Sequence, residues 1–353
     1  MRSLISPRIK TVGVASVLKV LIVKLSSLGD VVHAMPAVQD MRAAMPNVQI
    51  DWVVERGFAP LVARCTGVNR VITCELRNWR KKPFAAQTRT AWRKFKADLQ
   101  QQEYDAVIDL QGLTKSALIS RLARTSPQGL RYAMANRTDG SGYEAPTRWV
   151  ADRAIALAPH VHAVDRSRMV CAQALGYRYT GSPVCGLVPQ GLAVEPAQPV
   201  KMANAPTMSS KPMVALVQGT SRADKEWPLQ HWVALGRQLN QTGLRVSLPQ
   251  GNAQELSTSQ AIAAQLDDAW LWPAMALDAV CDTLAQCAGV IGVDSGLSHI
   301  AVALGLPHVQ IYNFDTAWRT GPQTHERHRS VFASPCPDVQ SVWQAWASLA
   351  PAR

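Results

Sequence analysis

The stretch KLSSLGDVVHAMPA, Lys24 to Ala37, decides how this chain is read. It follows the apolar run Leu18–Val23, which reads as a buried strand, and it leads into Val31–Met45, which reads as a helix. Strand, glycine and helix in that order open a βα unit, and the N-terminus of such a helix offers free N–H groups and a positive dipole end to an anion. Here, however, the residue after Gly29 is Asp30. A carboxylate at that place repels phosphate. It has two readings: a cap favoured by the dipole of its own helix, or a general base facing a cleft and kept ionised by nearby cations.

Outward from this unit the alternation continues. Val48–Val54, Val68–Leu76 and Asp105–Leu110 read as strands; Phe58–Cys65, Phe84–Gln102 and Lys115–Arg124 read as helices. Such repetition implies a parallel sheet covered on both faces. From Gly181 to Lys211 the pattern lapses into a stretch punctuated by prolines, a linker signature. It restarts with strands at Met213–Gln218, Leu244–Pro249, Ala269–Trp272, Gly289–Val293 and His308–Phe314. The helices between them fall at Pro228–Thr242, Ala253–Leu266, Leu277–Cys287 and Leu297–Leu304, and Asp338–Leu349 closes the chain as an amphipathic helix. The expected class is α/β: two Rossmann-like domains whose parallel sheets face each other across a cleft, with ligands at the carboxyl ends of the strands. The expected divisions are residues 1–190, with 1–16 a loose extension, a linker at 191–211, a second domain at 212–335, and a terminal helix in 336–353 packing back on the first domain.

The chain has 353 residues, a formal net charge of +12 and a pI near 9.6, which favours acidic partners. Seven cysteines without a C-x-x-C pair read as reduced thiols of a cytosolic protein. The N-terminus begins basic and turns mildly apolar, like a weak signal peptide, but Lys19 and Lys24 interrupt the run. No run of 18 apolar residues occurs, so no transmembrane helix is expected.

Neither G-x-G-x-x-G after a strand nor G-x-x-x-x-G-K-[ST] is present, which argues against a dinucleotide-dependent dehydrogenase and a P-loop ATPase. There is no D-x-D, so a bound diphosphate would be neutralised by Lys, Arg and backbone N–H groups rather than through a metal. GVIGVDSGLSHIAVALGLP, Gly289–Pro307, supplies such a site or else a plain capped helix. Ser295 can cap it, Gly296 admits a close ligand, and His299 on the first turn can donate to a phosphate oxygen. QGTSRADKEWP, Gln218–Pro228, adds the hydroxyls of Thr220 and Ser221 and the cations Arg222 and Lys225 at another strand end. In the first half, Arg77–Lys82 and Gln111–Lys115 stand at strand ends, with Arg148, His162, Arg166 and Arg168 further on. These form a second anion site or a solvated basic face. Aromatics among the cations are few, which argues against nucleic acid.

Taken in order, KLSSLGDVVHAMPA, DWVVE, RNWRK, YDAVIDLQGLTKSA, HAVDRSR, TSRADKEWPLQHW and VDSGLSHIAVALGLP resemble the bacterial ADP-heptose:lipopolysaccharide heptosyltransferase family, its heptosyltransferase I members in particular. The resemblance runs from about Leu18 to Tyr312. It implies a GT-B fold and metal-independent, inverting transfer of L-glycero-D-manno-heptose from ADP-heptose to a Kdo sugar of lipid A. It also implies a peripheral enzyme on the cytoplasmic face of the inner membrane, touching an anionic lipid surface, with no nucleic-acid partner. By the same resemblance Asp30 is the base and Lys225 stabilises the leaving group. The donor site is Thr220, Ser221, Lys225, Glu255 at the ribose, Met275 by the adenine, Asp294, Ser295, Gly296 and His299. The acceptor site is Ser27, Gly29, Arg77, Arg80, Lys81, Gln111 and Lys115. Departures from the pattern are Asn78 where a second Arg is usual, Ser295 where Thr is frequent, and the unlike stretches Asn136–Trp149 and YNFDTAWRTG, Tyr312–Gly321. Rival readings are heptosyltransferase II or another ADP-heptose transferase, a nucleotide-sugar epimerase or hydrolase of the same shape, and a non-catalytic anionic-lipid-binding module.

Overall fold

The computed structural model describes residues 17–190, 211–324 and 326–349. The expectations for residues 1–16 and for most of the linker lie outside the described residues. The first half holds strands β1 (Lys19–Val23), β2 (Gln49–Glu55), β3 (Val68–Cys74), β4 (Glu103–Asp109), β5 (Arg124–Met134) and β6 (Arg153–Ile155). Its helices are α1 (Leu28–Ala44), α2 (Ala59–Val62), α3 (Leu76–Lys81), α4 (Ala86–Leu99), α5 (Thr114–Leu122), α6 (Pro146–Val150) and α7 (Ala163–Leu175). The second half holds β7 (Met213–Val217), β8 (Arg245–Leu248), β9 (Ala269–Leu271), β10 (Gly289–Val293), β11 (His308–Tyr312) and β12 (His328–Phe332). Its helices are α8 (Leu229–Gln241), α9 (Ala253–Ala263), α10 (Leu277–Ala285), α11 (Gly296–Ala303), α12 (Ala317–Thr320) and α13 (Val339–Ala347).

Both sheets are parallel, with orders β3-β2-β1-β4-β5-β6 and β12-β11-β10-β7-β8-β9. The second is the first read from its other end, so each half has one switch point, between β1 and β4 and between β7 and β10. Crevices at carboxyl strand ends open at such points, and the quoted motifs follow these four strands.

β1, β7 and β10 are almost wholly buried, which explains why they read as unbroken apolar runs rather than alternations. α1 is buried nearly all round, because it lies between its own sheet, α7 and α11 of the other half. The apolar core around α1 is continuous across the two halves: Val32, Met35 and Val38 belong to the same cluster as Val280, Cys281 and Ile300. Burying two or three such side chains contributes about 1.5–3 kcal/mol each, so the halves are packed together rather than merely tethered. The bidentate Arg64–Asp282 pair, at 2.9 Å on both arms, adds a second tie, between the turn after α2 and α10.

Three expectations change. α1 begins at Leu28, so Gly29 is in the helix and not in a turn before it. Arg77–Lys81 form the helix α3 instead of a strand end; β3 stops at Cys74. α13 packs on the second half, against α8, β11 and β12, not back on the first. Its stripe Val339, Val342, Trp343, Trp346 recurs at helical spacing and fills the outer core of that half, with Trp346 lying over Gly289. Asp338 caps it by accepting from the Ser341 N–H at 2.7 Å. All seven cysteines are free thiols.

Candidate active site in the interdomain cleft

The loop after β1 is built around a buried cation. Lys24 is 3% exposed; its Nζ donates to the Leu110 carbonyl at 3.2 Å and stands 3.9 Å from Asp30 Oδ1. Burial lowers its pKa, and the Asp30 charge opposes that fall. Gln111 pins the same loop, its Oε1 accepting from the N–H groups of Leu25 and Ser26 at 3.0 Å each. Asp109 shapes the neighbouring turn by accepting from the Gln111 and Gly112 N–H groups and the Ser116 hydroxyl, while burial pushes its carboxyl up to about 6.

Ser27 then opens α1. Its N–H and hydroxyl donate to Asp30 Oδ2 at 3.2 and 3.0 Å, so one carboxylate oxygen closes the helix end in a capping box. The other oxygen, Oδ1, faces Lys24 and the Arg166 guanidinium, 3.5 Å away from α7. Burial pushes the carboxyl up, but Lys24, Arg166, His33 and the Ser27 amide outweigh it and hold it well below the usual carboxylate range. Oδ2 thus caps the helix while Oδ1 faces the two cations, and 35% of the Asp30 side chain stays accessible at the cleft.

The opposite wall comes from the loop after β10. Asp294 is 5% exposed and binds Lys225 Nζ at 2.6 Å and His299 Nε2 at 3.2 Å. Burial raises its pKa, but His299 and Lys225 prevail and keep it ionised. Ser295 occupies the N-cap position of α11, yet its hydroxyl caps nothing: Oγ is buried and has no partner. Ser298 turns away to the Val293 carbonyl at 2.6 Å. The first N–H groups of α11 thus meet no side-chain oxygen of their own helix, the reverse of α1. His299 is not the free phosphate donor expected; Asp294 holds its Nε2, and its ring lies 4.2 Å from that of His33.

Ser27, Gly29, Asp30, His33, Arg166, Ser221, Lys225, Asp294, Ser295, Gly296, His299 and Arg319 bound a cleft of about 180 Å³ between these walls. A second, smaller pocket of about 140 Å³ continues along the second half and is lined by Thr220, Asn252 and Glu255. Glu255 closes against Gly219, and its Oε2 accepts from the Gly251 N–H at 2.7 Å. Met275 follows β9 outside both pockets, its sulfur 3.8 Å from the Thr283 hydroxyl. Lys115, on the first turn of α5, reaches the Ser26 hydroxyl at 3.4 Å. It acts with Arg77 on Glu55. Arg77, Arg80 and Lys81 do not line the cleft; they stay exposed on α3 beside it. Gln111 spends its carbonyl on the loop. Arg168 is structural, its guanidinium forked onto Asp40 at 2.7 and 3.0 Å.

A family model described as glycosyltransferase family 9 (heptosyltransferase) matches residues 92–342. The chain belongs to that family. Lipopolysaccharide heptosyltransferase 1 of Escherichia coli K12 is 36% identical over 296 residues, 84% of this chain and 88% of that protein. The Pseudomonas aeruginosa protein of the same name is 35% identical over 295 residues, covering 84% and 78%. E. coli heptosyltransferase WaaC, solved with ADP, superposes with a TM-score of 0.81 at 31% identity over 94% of this chain and 100% of that one. The protein is thus a glycosyltransferase of the heptosyltransferase family with the GT-B architecture, as its motifs implied.

The sequence reading of this heptosyltransferase missed His33 and Arg319 as cleft residues and Lys24 as the buried cation behind Asp30. Lys24 had a signal, a lysine placed directly after a buried strand. His33 sits four residues after Gly29, one helical turn on, and therefore shares the face that meets α11. Arg319 lies in a stretch unlike the family and gave none.

Proposed function

We propose that this protein transfers L-glycero-D-manno-heptose from ADP-heptose to a Kdo sugar of lipid A, with inversion, in a single displacement. The observation that carries this reading is the opposition of Asp30 to Lys225 and the α11 N-terminus across one narrow cleft. Oδ1 of Asp30 takes the proton of the acceptor hydroxyl as that oxygen attacks the anomeric carbon. Negative charge then grows on the departing ADP. In this scheme Lys225 and the N–H groups of Gly296 and Leu297, with Ser295 at the N-cap, receive it. On this reading the diphosphate is met by fixed cations and dipoles, and no metal is needed. Thr220 and Glu255 hold the ribose side of the donor in the smaller pocket, and Met275 borders the adenine. Lys115, with Arg77, Arg80 and Lys81 on α3, receives the anionic groups of the acceptor. A carboxylate held far below neutrality is a weak base, and an anionic acceptor that draws Arg166 and Lys24 toward itself restores its basicity.

The lipid acceptor also gives meaning to the outer layer of the first half. α3, α4 and the turn between them expose Arg80, Lys81, Lys82, Arg89 and Arg93, and in that turn Phe84 is 90% exposed. Cations around an exposed aromatic side chain suit an anionic leaflet, and we place the enzyme there, on the cytoplasmic side. No described helix is long and apolar enough to cross a membrane.

The test is turnover of ADP-heptose with Kdo-bearing lipid A while divalent metal is chelated. Product formation that needs no metal supports the reading; strict dependence on added metal overturns its leaving-group chemistry. Preference for an acceptor that already carries the first heptose would move the enzyme to the heptosyltransferase II activity.

A further inference from the structure

The two stretches that depart from the family pattern, Asn136–Trp149 and Tyr312–Gly321, meet through Arg319 and Gly140 at the cleft. Around them the two halves are joined by four contacts. Trp318 stacks on His160 at 3.5 Å between centroids, Gln323 donates to Asp165 at 2.7 Å, and His162 Nε2 meets the Gly321 carbonyl at 2.9 Å. The fourth is different in kind. Arg319 Nη1 donates to the Gly140 carbonyl at 3.3 Å, a neutral and long partner, while its Nε is buried and meets no acceptor.

Arg319 lines the cleft together with Arg166 and Lys225. It is close enough to Arg166 for the two guanidinium groups to repel each other. No carboxylate in the cleft is left for it: Asp30 serves Lys24 and Arg166, and Asp294 serves Lys225 and His299. Among the charged residues that line the cleft, Arg166, Lys225 and Arg319 stand against Asp30 and Asp294, an excess of one positive charge without counting the histidines. Cations gathered in a narrow cleft with too few acids are matched by a ligand that brings the missing charge.

We propose that Arg319 and Arg166, one from each half, form an oxyanion-binding subsite that closes on substrate from the C-terminal side. A guanidinium fork suits a planar carboxylate or a phosphoryl group. The inference rests on the transferase reading and extends it. The anion is either the carboxylate of the acceptor's acidic sugar or the diphosphate of the donor. In both cases the ligand bridges the halves, and it competes with Asp30 for Arg166.

Titrations with ADP and with free Kdo, on wild type, Arg319→Ala and Arg319→Lys, read the subsite without any turnover. Arg319→Ala is expected to weaken one of the two ligands about tenfold to a hundredfold, with Arg319→Lys recovering only part. Weakened ADP with unchanged Kdo assigns the subsite to the diphosphate; the converse assigns it to the carboxylate. Steady-state turnover should show the same split, as a raised KM for that substrate alone. Trp318→Ala is the control, since it loosens the same segment and keeps the charge. Equal losses in Trp318→Ala and Arg319→Ala, or unchanged affinity for both ligands in a folded Arg319→Ala protein, overturn the subsite. Wild type that binds both ligands but transfers no heptose overturns the transferase reading and leaves the subsite standing.

Discussion

The starts of α1 and α11 are the same construction put to opposite uses. Each follows a central strand next to a switch point, each has a serine at the N-cap, and each carries a glycine in its first turn. The glycines answer each other. A Cβ on Gly29 would lie 2.7 Å from the His299 ring, and one on Gly296 would lie 2.6 Å from Leu28. The two helix ends therefore touch across the interface, and neither glycine has a positive φ to explain it. The difference lies in the third residue. α1 has Asp30 there, which fills its own anion site; α11 has Ser298, which turns into the strand and leaves the site to a ligand. An acid in place of a neutral residue at that position sets the two helix starts apart, and on the proposed reading it distinguishes the acceptor wall from the donor wall.

The most direct way to break this comparison is to neutralise the acid. Asp30→Asn keeps the cap geometry and should retain ADP binding while lowering turnover about 10²- to 10⁴-fold. Single-turnover rates at saturating donor measure it, and near-normal rates would remove the base from Asp30. Next in size is Lys225→Ala, which takes one preorganised charge from the leaving group. A loss of about 10²- to 10³-fold in kcat is expected, accompanied by weaker ADP binding, because Asp294 then loses its 2.6 Å partner and faces the diphosphate unshielded. If kcat holds and only the donor KM rises, Lys225 binds substrate and transition state alike and the α11 amides carry the charge.

Most of this arrangement was legible in the sequence because it is local. Strand, glycine and helix appear within fifteen residues of one another, and burial on both faces makes β1 and β10 unmistakable apolar runs. What stayed hidden depends on pairing between distant elements. Gly29 was taken for a turn residue, because nothing near it in sequence reveals that His299 needs its space. The terminal helix was expected on the first half, because an apolar stripe records that a helix is buried and not against what. Arg77–Lys82 read as a strand end, since the six residues of α3 are too few to show a period. Arg319 had no local signal at all; its place in the cleft beside Arg166 exists only once the halves are together.

The glycine pair sharpens the comparison at smaller cost. In an ordinary first turn, Gly→Ala is stabilising by up to about 1 kcal/mol. Here Gly29→Ala should be destabilising by about 1–3 kcal/mol, the usual cost of overpacking, because the His299 ring is held by Asp294 and cannot yield. Gly296→Ala should cost less, since its neighbour Leu28 is a flexible aliphatic chain. Thermal denaturation of both variants checks the order. A stabilised Gly29→Ala protein would mean that the helix ends are not in contact in solution.

The last and smallest effect concerns His33, which lies between the two helix starts, 7% exposed, with its ring 4.2 Å from His299 and 6.2 Å from His162. Burial, followed by the neighbouring His299, holds its pKa well below the usual histidine value, and burial lowers His162 as well. Below the unfolded value of about 6.5 the unfolded chain then binds more protons than the folded one. Stability must fall as the pH drops through that value, by up to about 1.4 kcal/mol per pH unit for each such histidine. Asp30 and Asp294 behave in the opposite range. Their depressed pKa values contribute stability above the unfolded value of about 3.9, and that contribution is lost only below it. Between about pH 6.5 and 4.5 the histidines therefore lower stability as the pH falls, while Asp109, whose carboxyl burial raises to about 6, works in the opposite direction. Chemical denaturation of wild type and His33→Gln across that range isolates the term. The variant should be less stable at neutral pH yet lose less on acidification; an unchanged slope would mean that His33 reaches water and that the two helix starts do not exclude it.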